Sequence, residues 1–296
     1  MRLALIVNPR ARTAPEPDAL EALLGADGAD LVRVAIDEIA DRDGGALEEG
    51  ALDALSAAGR PDRIVAAGGD GSVGPAALCA AELGVPLAVV PVGTANDFAR
   101  AKDLPLDVED ACALARDPRA STARAELGLA GERPFVNAAS AGLSVVAAHA
   151  AKPHKPRLGP LAYATGALRA AVTVAPLRCS VVCDGERRFA GRAWQVVVAV
   201  TGAFGAGSEI GGTRDDDALL DVAVLPAGSR LGLVRRGYGL RTGRLTEQSD
   251  VPHERAAVVE LELDGHPGFN IDGETCRCEP PRFTLRRGGF AVVRPA

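Results

Sequence analysis

The feature that most constrains the fold is an alternation of short apolar strands and helical segments over the first third of the chain. The predicted strands are 3–7, 31–36, 63–67 and 87–90, and the predicted helices are 17–24, 46–58, 75–83 and 94–100. Strands that alternate with helices at this spacing form right-handed crossovers and a buried parallel sheet. The pattern therefore predicts a doubly wound, mostly parallel α/β domain over residues 1–122.

The pattern changes after residue 122. Strands are predicted at 126–129, 135–139, 179–183, 193–200, 220–225 and 257–263, with helices at 161–174 and 230–241. The alternation of apolar and acidic residues over 259–263 is typical of a sheet with one solvated face. We expect a mainly antiparallel β domain over 123–280, with 281–296 able to complete the first domain. A cleft between two such domains is a common place for an active site.

Composition excludes several classes of protein. A chain that is 47% hydrophobic buries enough apolar surface to fold, and its formal net charge of −6 argues against nucleic-acid binding. The first apolar run, 3–7, is too short for a signal peptide, and no uncharged apolar run reaches the roughly 18 residues of a membrane span. We expect a cytoplasmic protein without a nucleic-acid partner.

The first motif is the glycine-rich segment Gly68-Gly69-Asp70-Gly71-Ser72, between a predicted strand and a helix. Backbone N–H groups at such a junction favour phosphate. Residues 69–74 also satisfy G-x-G-x-x-G, but Asp70 opposes pyrophosphate and no acidic residue follows at the spacing for a ribose. A phosphate with a metal ion fits better, and a tight turn with Asp70 as a helix cap is the structural alternative.

The second motif, PVGTANDFAR at 91–100, also follows a strand and opens a helix. Carboxyl ends of parallel strands meet at one edge, so Asp70 and Asp97 are expected to face one crevice, where two carboxylates favour a cation between them. Taken singly, Thr94 is a predicted N-cap, and Asp97 is an acid that suits the first helical turn.

GGDGS and PVGTANDFAR resemble signatures of the diacylglycerol kinase catalytic domain, in its bacterial soluble lipid kinase branch with relatives of sphingosine and ceramide kinases. Three later segments continue the resemblance: FVNAASAG at 135–142, DDALLDV at 216–222 and NIDGE at 270–274. The matches occur in order from Asn8 to Glu274, which is nearly the whole chain. The resemblance implies a nucleotide-binding α/β domain followed by a β domain that carries a metal loop and a catalytic base.

The resemblance also implies roles for individual residues. ATP would contact residues of the two glycine-containing loops and of the first strand end: Asn8, Gly68, Gly69, Asp70, Gly71, Ser72, Gly93, Thr94 and Asn96. Glu274 would be the general base, with Asp272 and Asp97 as further catalytic residues. The Asp217 carboxylate and the main-chain oxygens of Arg214 and Leu219 would hold Mg²⁺, since oxygen ligands suit a hard cation.

Two departures from the family pattern keep other functions open. Gly74-Pro75 replaces an Asn-Glu pair, and Ala218 replaces a glycine, which strains the backbone if this position has a positive φ. A non-catalytic, nucleotide-binding regulatory member is one alternative. An NAD kinase-like enzyme is the other, since such distant fold relatives also carry GGDG, although the NDFAR continuation and the DGE base disfavour it.

The acceptor is predicted to be a diacylglycerol-like lipid, met transiently by a peripheral protein at a membrane surface. Two basic stretches with interleaved apolar residues, 152–157 and 230–244, could contact anionic lipid, and an ordinary solvated helix face is the alternative. The sequence leaves both a monomer and a homodimer open.

Overall fold

A computed structural model describes residues 1–8, 17–26, 28–40, 47–151, 173–203, 210, 217–265, 268–276 and 282–295. The chain divides into two compact units. The first consists of Met1–Leu127, Glu132–Val136 and Arg286–Ala296, and the second of Gly128–Gly131 and Asn137–Leu285. The expected boundary at residue 122 falls within a strand of the first unit, and the end of the chain returns to that unit.

The first unit contains a sheet with the strand order β2-β1-β3-β4-β17-β5. Its strands are β1 (Arg2–Val7), β2 (Asp30–Ala35), β3 (Arg63–Gly68), β4 (Leu87–Pro91), β5 (Ser121–Ala125) and β17 (Phe290–Arg294). The first four strands pair in parallel, and β17 pairs in parallel with β4 but antiparallel with β5. The predicted mostly parallel sheet is confirmed, whereas the pattern missed β5 and β17.

Helices cover both faces of this sheet. They are α1 (Pro17–Gly25), α2 (Ala51–Leu55), α3 (Asp70–Leu83), α4 (Asp97–Ala101) and α5 (Val108–Arg116). Alternate residues of β1 enter two different cores: Ala4 and Ile6 pack with α3, whereas Leu3 and Leu5 pack with α1 and α5. Because both faces of these strands are buried, nearly all of their residues are apolar.

Three helix predictions are wrong at their boundaries. The helix predicted at 46–58 is only Ala51–Leu55 among the described residues. The helix predicted to open at Pro75 begins at Asp70, so Pro75 lies inside it and removes the helical hydrogen bond to the Gly71 carbonyl. The helix predicted from Thr94 begins at Asp97. The pattern missed the first turn of α3 because Gly71 and Gly74, which lie within this helix, have little helix propensity.

The second unit contains an antiparallel sheet with the strand order β15-β14-β8-β10-β9-β13-β16-β6, and β11 joins β10 and β12. The strands are β6 (Gly128–Ala130), β8 (Ala138–Gly142), β9 (Leu177–Cys183), β10 (Glu186–Ala199), β11 (Leu220–Pro226), β12 (His253–Ala256), β13 (Val258–Leu263), β14 (Phe269–Ile271), β15 (Glu274–Cys276) and β16 (Arg282–Leu285). The expected antiparallel domain is confirmed.

The remaining elements are α6 (Leu143–Ala151) and α7 (Arg230–Arg241) in the second unit and β7 (Arg133–Phe135) in the first. The single strand predicted at 135–139 is therefore wrong, since β7 ends and β8 begins within it. Most of the helix predicted at 161–174, and the basic stretch 152–157, lie outside the described residues. None of the helices described has the length and apolar character that crossing a bilayer would need.

Candidate functional site

The two glycine-containing loops leave the sheet at neighbouring strand ends. Gly68 at the end of β3 is in register with Pro91 at the end of β4, and Val7 of β1 is in register with Ala67. The Val92 N–H donates to the Gly68 carbonyl at 3.1 Å. The loops after β3 and β4 therefore lie side by side at the carboxyl edge of the sheet, as the sequence predicted.

The backbones of these loops come into direct contact at Gly69 and Gly93. A Cβ atom at Gly69 would lie 3.2 Å from the Gly93 Cα, and a Cβ at Gly93 would overlap the Gly69 Cα. No side chain larger than hydrogen fits at Gly93 unless the loops separate. The strand ends thus present main-chain groups next to the start of α3, an arrangement that suits phosphate oxygens.

Asn8 and Ser72 link the end of β1 to α3. The Asn8 Nδ2 donates to the Ser72 Oγ at 3.3 Å, and Ser72 is buried at 2% exposure. A Cβ at Gly68 would overlap this hydroxyl. Gly68 therefore allows the hydroxyl to sit against the strand end, so the predicted binding residues Asn8, Gly68 and Ser72 are brought together.

Asp70 acts as a cap on a helix other than its own. Its Oδ1 accepts a hydrogen bond from the Phe98 N–H at 2.9 Å, in the first turn of α4. Asp97, also in that turn, is 6% exposed. Both acids predicted to face one crevice thus lie at the N-terminus of α4, where negative charge is favourable.

The loop before α4 is closed by Asn96 and not by Thr94. Asn96 has a left-handed backbone with φ 52°, its Oδ1 accepts from the Gly93 N–H at 2.9 Å, and its Nδ2 donates to the Pro91 and Gly93 carbonyls at 3.2 and 3.1 Å. The prediction that Thr94 is the N-cap is wrong: Thr94 is exposed and three residues ahead of the helix. Its hydroxyl is therefore not used by this cap.

Gly74 departs from the family pattern for a steric reason. A Cβ at this position would lie 2.7 Å from the Pro134 carbonyl oxygen, because α3 packs closely on β7. An asparagine side chain here would force helix and strand apart. The close packing of α3 on β7 in this chain therefore requires glycine at position 74.

The DGE segment in the second unit forms a two-residue hairpin turn. Asp272 and Gly273 join β14 to β15 with φ values of 48° and 84°, as in the type I′ turns that favour Asn-Gly and Asp-Gly. The Asp272 Oδ1 accepts from the backbone N–H groups of Asn137 and Ala138 at 2.9 and 3.1 Å. Asp272 thereby anchors the turn to the start of β8.

Glu274 is the first residue of β15 and pairs with Ile271 across the hairpin. It is exposed, whereas Asp272 is only 9% exposed. The anchored turn fixes the backbone from which the Glu274 carboxylate projects, so the two acids differ in role: Asp272 holds the turn, and Glu274 is accessible to a substrate.

The predicted metal loop is described in part. Arg214 lies outside the described residues, and Ala218 has a left-handed backbone with φ 60°, which confirms the strain expected where the family has glycine. The Asp217 Oδ1 accepts from the Leu219 N–H at 3.3 Å. Carboxylate and carbonyl oxygens of Asp217 and Leu219 are of the right type for Mg²⁺. Within the described ranges, no three His, Cys, Asp or Glu side chains form a metal-binding group.

A charged cluster that the sequence analysis missed adjoins this loop. Arg255 Nη2 donates a hydrogen bond to the Asp217 Oδ2, and Arg255 Nε lies 3.3 Å from the Oδ1 of the fully buried Asp221. His253 Nε2 lies 2.8 Å from the same oxygen. Burial disfavours the charge of Arg255, but the hydrogen bond with Asp217 and the charges of Asp221 and Asp217 outweigh it, so the pKa of Arg255 lies above its ordinary value.

Comparison with known proteins assigns the chain to a class. The diacylglycerol kinase catalytic domain matches residues 2–126, and the YegS C-terminal NAD kinase beta sandwich-like domain matches residues 137–294. A diacylglycerol kinase structure from Bacillus anthracis shares the fold with a TM-score of 0.72 at 22% identity, over 99% of this chain and 96% of that one. An NAD kinase from Archaeoglobus fulgidus gives 0.51 at 12% identity, over 100% and 94%.

Sequence relatives narrow the class. A protein of Pseudomonas savastanoi pv. phaseolicola named "Probable lipid kinase YegS-like" is 35% identical over 257 residues, or 82% of this chain and 79% of the relative. One of the same name from Pseudomonas fluorescens is 34% identical over 245 residues, or 79% and 77%. The chain therefore belongs to the YegS-like lipid kinases of the diacylglycerol kinase family.

Proposed function

We propose that this lipid kinase transfers the γ-phosphoryl group of ATP to a hydroxyl of a diacylglycerol-like lipid. The observation that carries the proposal is the Gly69–Gly93 contact, where two strand ends meet without side chains next to the start of α3. Gly71 lies in the first turn of α3 and Thr94 in the loop after β4, where its exposed hydroxyl is available to a nucleotide.

Glu274 is the proposed general base. It accepts the proton of the acceptor hydroxyl while that oxygen bonds to the γ-phosphorus, and the bond from phosphorus to the β–γ bridging oxygen breaks to release ADP. Asp272 positions Glu274 through its two backbone hydrogen bonds. Asp70 caps α4 and Asp97 lies in its first turn, beside the loop that carries Thr94.

Mg²⁺ would supply charge neutralisation on the phosphates in this reaction. Besides the Mg²⁺ that accompanies the phosphates, we propose a Mg²⁺ site at the metal loop. Its ligands would be the Asp217 carboxylate and the main-chain oxygens of Arg214 and Leu219. Asp217 already pairs with Arg255, so a cation at this loop would compete with that ion pair. Cation binding at the loop and phosphoryl transfer are therefore measured separately.

The lipid acceptor implies contact with a membrane, and α7 is the proposed contact. Tyr238 is 72% exposed, and the side chains of Arg235 and Arg244 are 63% and 73% exposed. Exposed arginines with an exposed aromatic ring suit an anionic bilayer surface. Tyr238→Ser combined with Arg235→Gln should weaken sedimentation with phosphatidylglycerol vesicles. Arg188→Gln, which removes one charge elsewhere in the same unit, should not.

The function is tested by transfer of labelled phosphate from ATP to acceptors in mixed micelles with Mg²⁺. The panel holds diacylglycerol, monoacylglycerol, phosphatidylglycerol, sphingosine and ceramide, with NAD as the rival acceptor. The proposal predicts a labelled lipid. Label on NAD alone would make the chain an NAD kinase, and bound ATP without any transfer would favour the regulatory alternative.

A further inference from the structure

Asp217, Asp221, His253 and Arg255 form a compact group, here called the Asp221 cluster. β11 and β12 are antiparallel, with Asp221 opposite Arg255 and Ala223 opposite His253. Asp221 is fully buried, and its Oδ1 lies 2.8 Å from His253 Nε2 and 3.3 Å from Arg255 Nε. In the part of the chain that the structure describes, its Oδ2 has no hydrogen-bond partner.

A buried carboxylate requires a countercharge, because removal from water is costly for an unpaired ion. Arg255 provides this charge to two carboxylates: its Nε faces Asp221, and its Nη2 binds the Asp217 Oδ2. A guanidinium stays protonated at any pH at which the protein is folded, and its planar fork suits two acceptors. A residue of the chain itself thus offsets one of the two negative charges that Asp217 and Asp221 carry.

Both oxygens of Asp217 are already used. Oδ1 accepts from the Leu219 N–H at 3.3 Å, and Oδ2 accepts from Arg255. A divalent cation approaching Asp217 meets the positive charge of Arg255 at hydrogen-bond distance from the same carboxylate. Cation and guanidinium repel each other there, and this repulsion is strong wherever the pair is shielded from water.

We propose that Arg255 is the resident countercation of the metal loop and sets its affinity for divalent cations, which bind Asp217 only when the guanidinium leaves that carboxylate. The inference builds on the proposed loop site. It does not depend on phosphoryl transfer, because cation binding is measured without nucleotide or lipid.

The test is a Mn²⁺ titration of the full chain, with free Mn²⁺ followed by electron paramagnetic resonance. Arg255→Gln keeps hydrogen-bonding capacity and removes the charge, and we expect it to bind Mn²⁺ at least about tenfold more tightly than wild type. Asp217→Asn in the Arg255→Gln background should abolish the gain. Arg188→Gln is the matched control, since it removes the same charge from an ion pair with Glu186 and should bind as wild type does.

Equal affinity of Arg255→Gln and wild type would overturn the proposal, as would an equal gain in Arg188→Gln or a gain that survives Asp217→Asn. Thermal unfolding provides a second readout: Arg255→Gln should be less stable than wild type in EDTA and should gain more from Mg²⁺. If Arg255→Gln does not fold, Arg255→Met decides, because it also removes the charge and keeps an unbranched side chain. It should bind Mn²⁺ more tightly than wild type, and wild-type affinity would contradict the inference.

Discussion

The loops at the carboxyl edge of the first unit depend on a close backbone contact as well as on the side chains of Asp70 and Asn96, whereas the turn and loop of the second unit depend on side-chain hydrogen bonds. In the first, Gly69 and Gly93 approach because neither has a side chain. In the second, side chains do the holding: Asp272 binds two backbone N–H groups, and Arg255 joins Asp217 to Asp221. Substitutions that add atoms should therefore destabilise the first region, and substitutions that remove polar atoms should destabilise the second.

The largest expected loss of stability comes from the second region. Asp272→Ala removes the acceptor of two backbone hydrogen bonds and places alanine at φ 48°, so we expect a loss of about 3 kcal/mol in the free energy of unfolding. Urea denaturation measures it. Asp272→Asn keeps an acceptor oxygen and tolerates the left-handed backbone, so it should stay within about 1 kcal/mol of wild type. Equal losses in both variants would show that the carboxylate charge, and not its hydrogen bonds, holds the turn.

Gly93→Ala adds one methyl group to the first region. The new Cβ overlaps the Gly69 Cα, so we expect a loss of about 2 kcal/mol and weaker binding of a fluorescent ATP analogue. Gly25→Ala is the control, because a Cβ there meets nothing within 4 Å. If Gly93→Ala binds the analogue as wild type does, the close backbone contact is not needed for the nucleotide.

Asp70 lies in the first region but acts through its side chain, which accepts a hydrogen bond from the Phe98 N–H. Asp70→Ala removes the cap on α4 and should cost about 1 kcal/mol, whereas Asp70→Asn retains an acceptor for the Phe98 N–H. Measuring both the free energy of unfolding and the rate of phosphoryl transfer separates the capping role of Asp70 from a role in the reaction. A stable but inactive Asp70→Asn would assign the charge to the reaction, and a stable, active one would leave Asp70 as a cap only.

Ala218→Gly should have the smallest effect and the opposite sign. Glycine adopts φ 60° without the steric penalty of a Cβ, so relief of strain should stabilise the folded chain by about 0.5–1 kcal/mol. The gain is the difference between this relief and the greater freedom of glycine in the unfolded chain. A drop in the urea midpoint would show that Ala218 packs favourably enough to offset its strain.

Local sequence predicted the parts of the structure that depend on neighbours along the chain. β1 to β4 follow from apolar runs bounded by turns, and the two loops follow from glycines at strand ends. The resemblance to a family with glycine at position 218 indicates strain at Ala218 only if its φ is positive, and the structure gives φ 60°. These features need no knowledge of distant contacts.

What the sequence could not predict are contacts between distant residues. Asp70 caps a helix 28 residues away, and the Asp272 carboxylate reaches Asn137 across 135 residues. Arg255 and Asp217 are 38 residues apart, and their pairing depends on the register of β11 and β12. The sequence indicates that 281–296 can complete the first domain, but it does not show that β17 lies beside β4. Neither periodicity nor motif spacing carries this information.

We propose that Glu274 of this lipid kinase, exposed at the start of β15, removes the proton of the acceptor hydroxyl. The most direct measurement is the rate of label transfer from ATP to lipid by wild type, Glu274→Gln and Glu260→Gln, the last being a charge-matched change at an exposed strand position. We expect Glu274→Gln to lose at least about 100-fold in rate with ATP binding and stability retained, and Glu260→Gln to match wild type. Equal rates for Glu274→Gln and wild type would contradict the account.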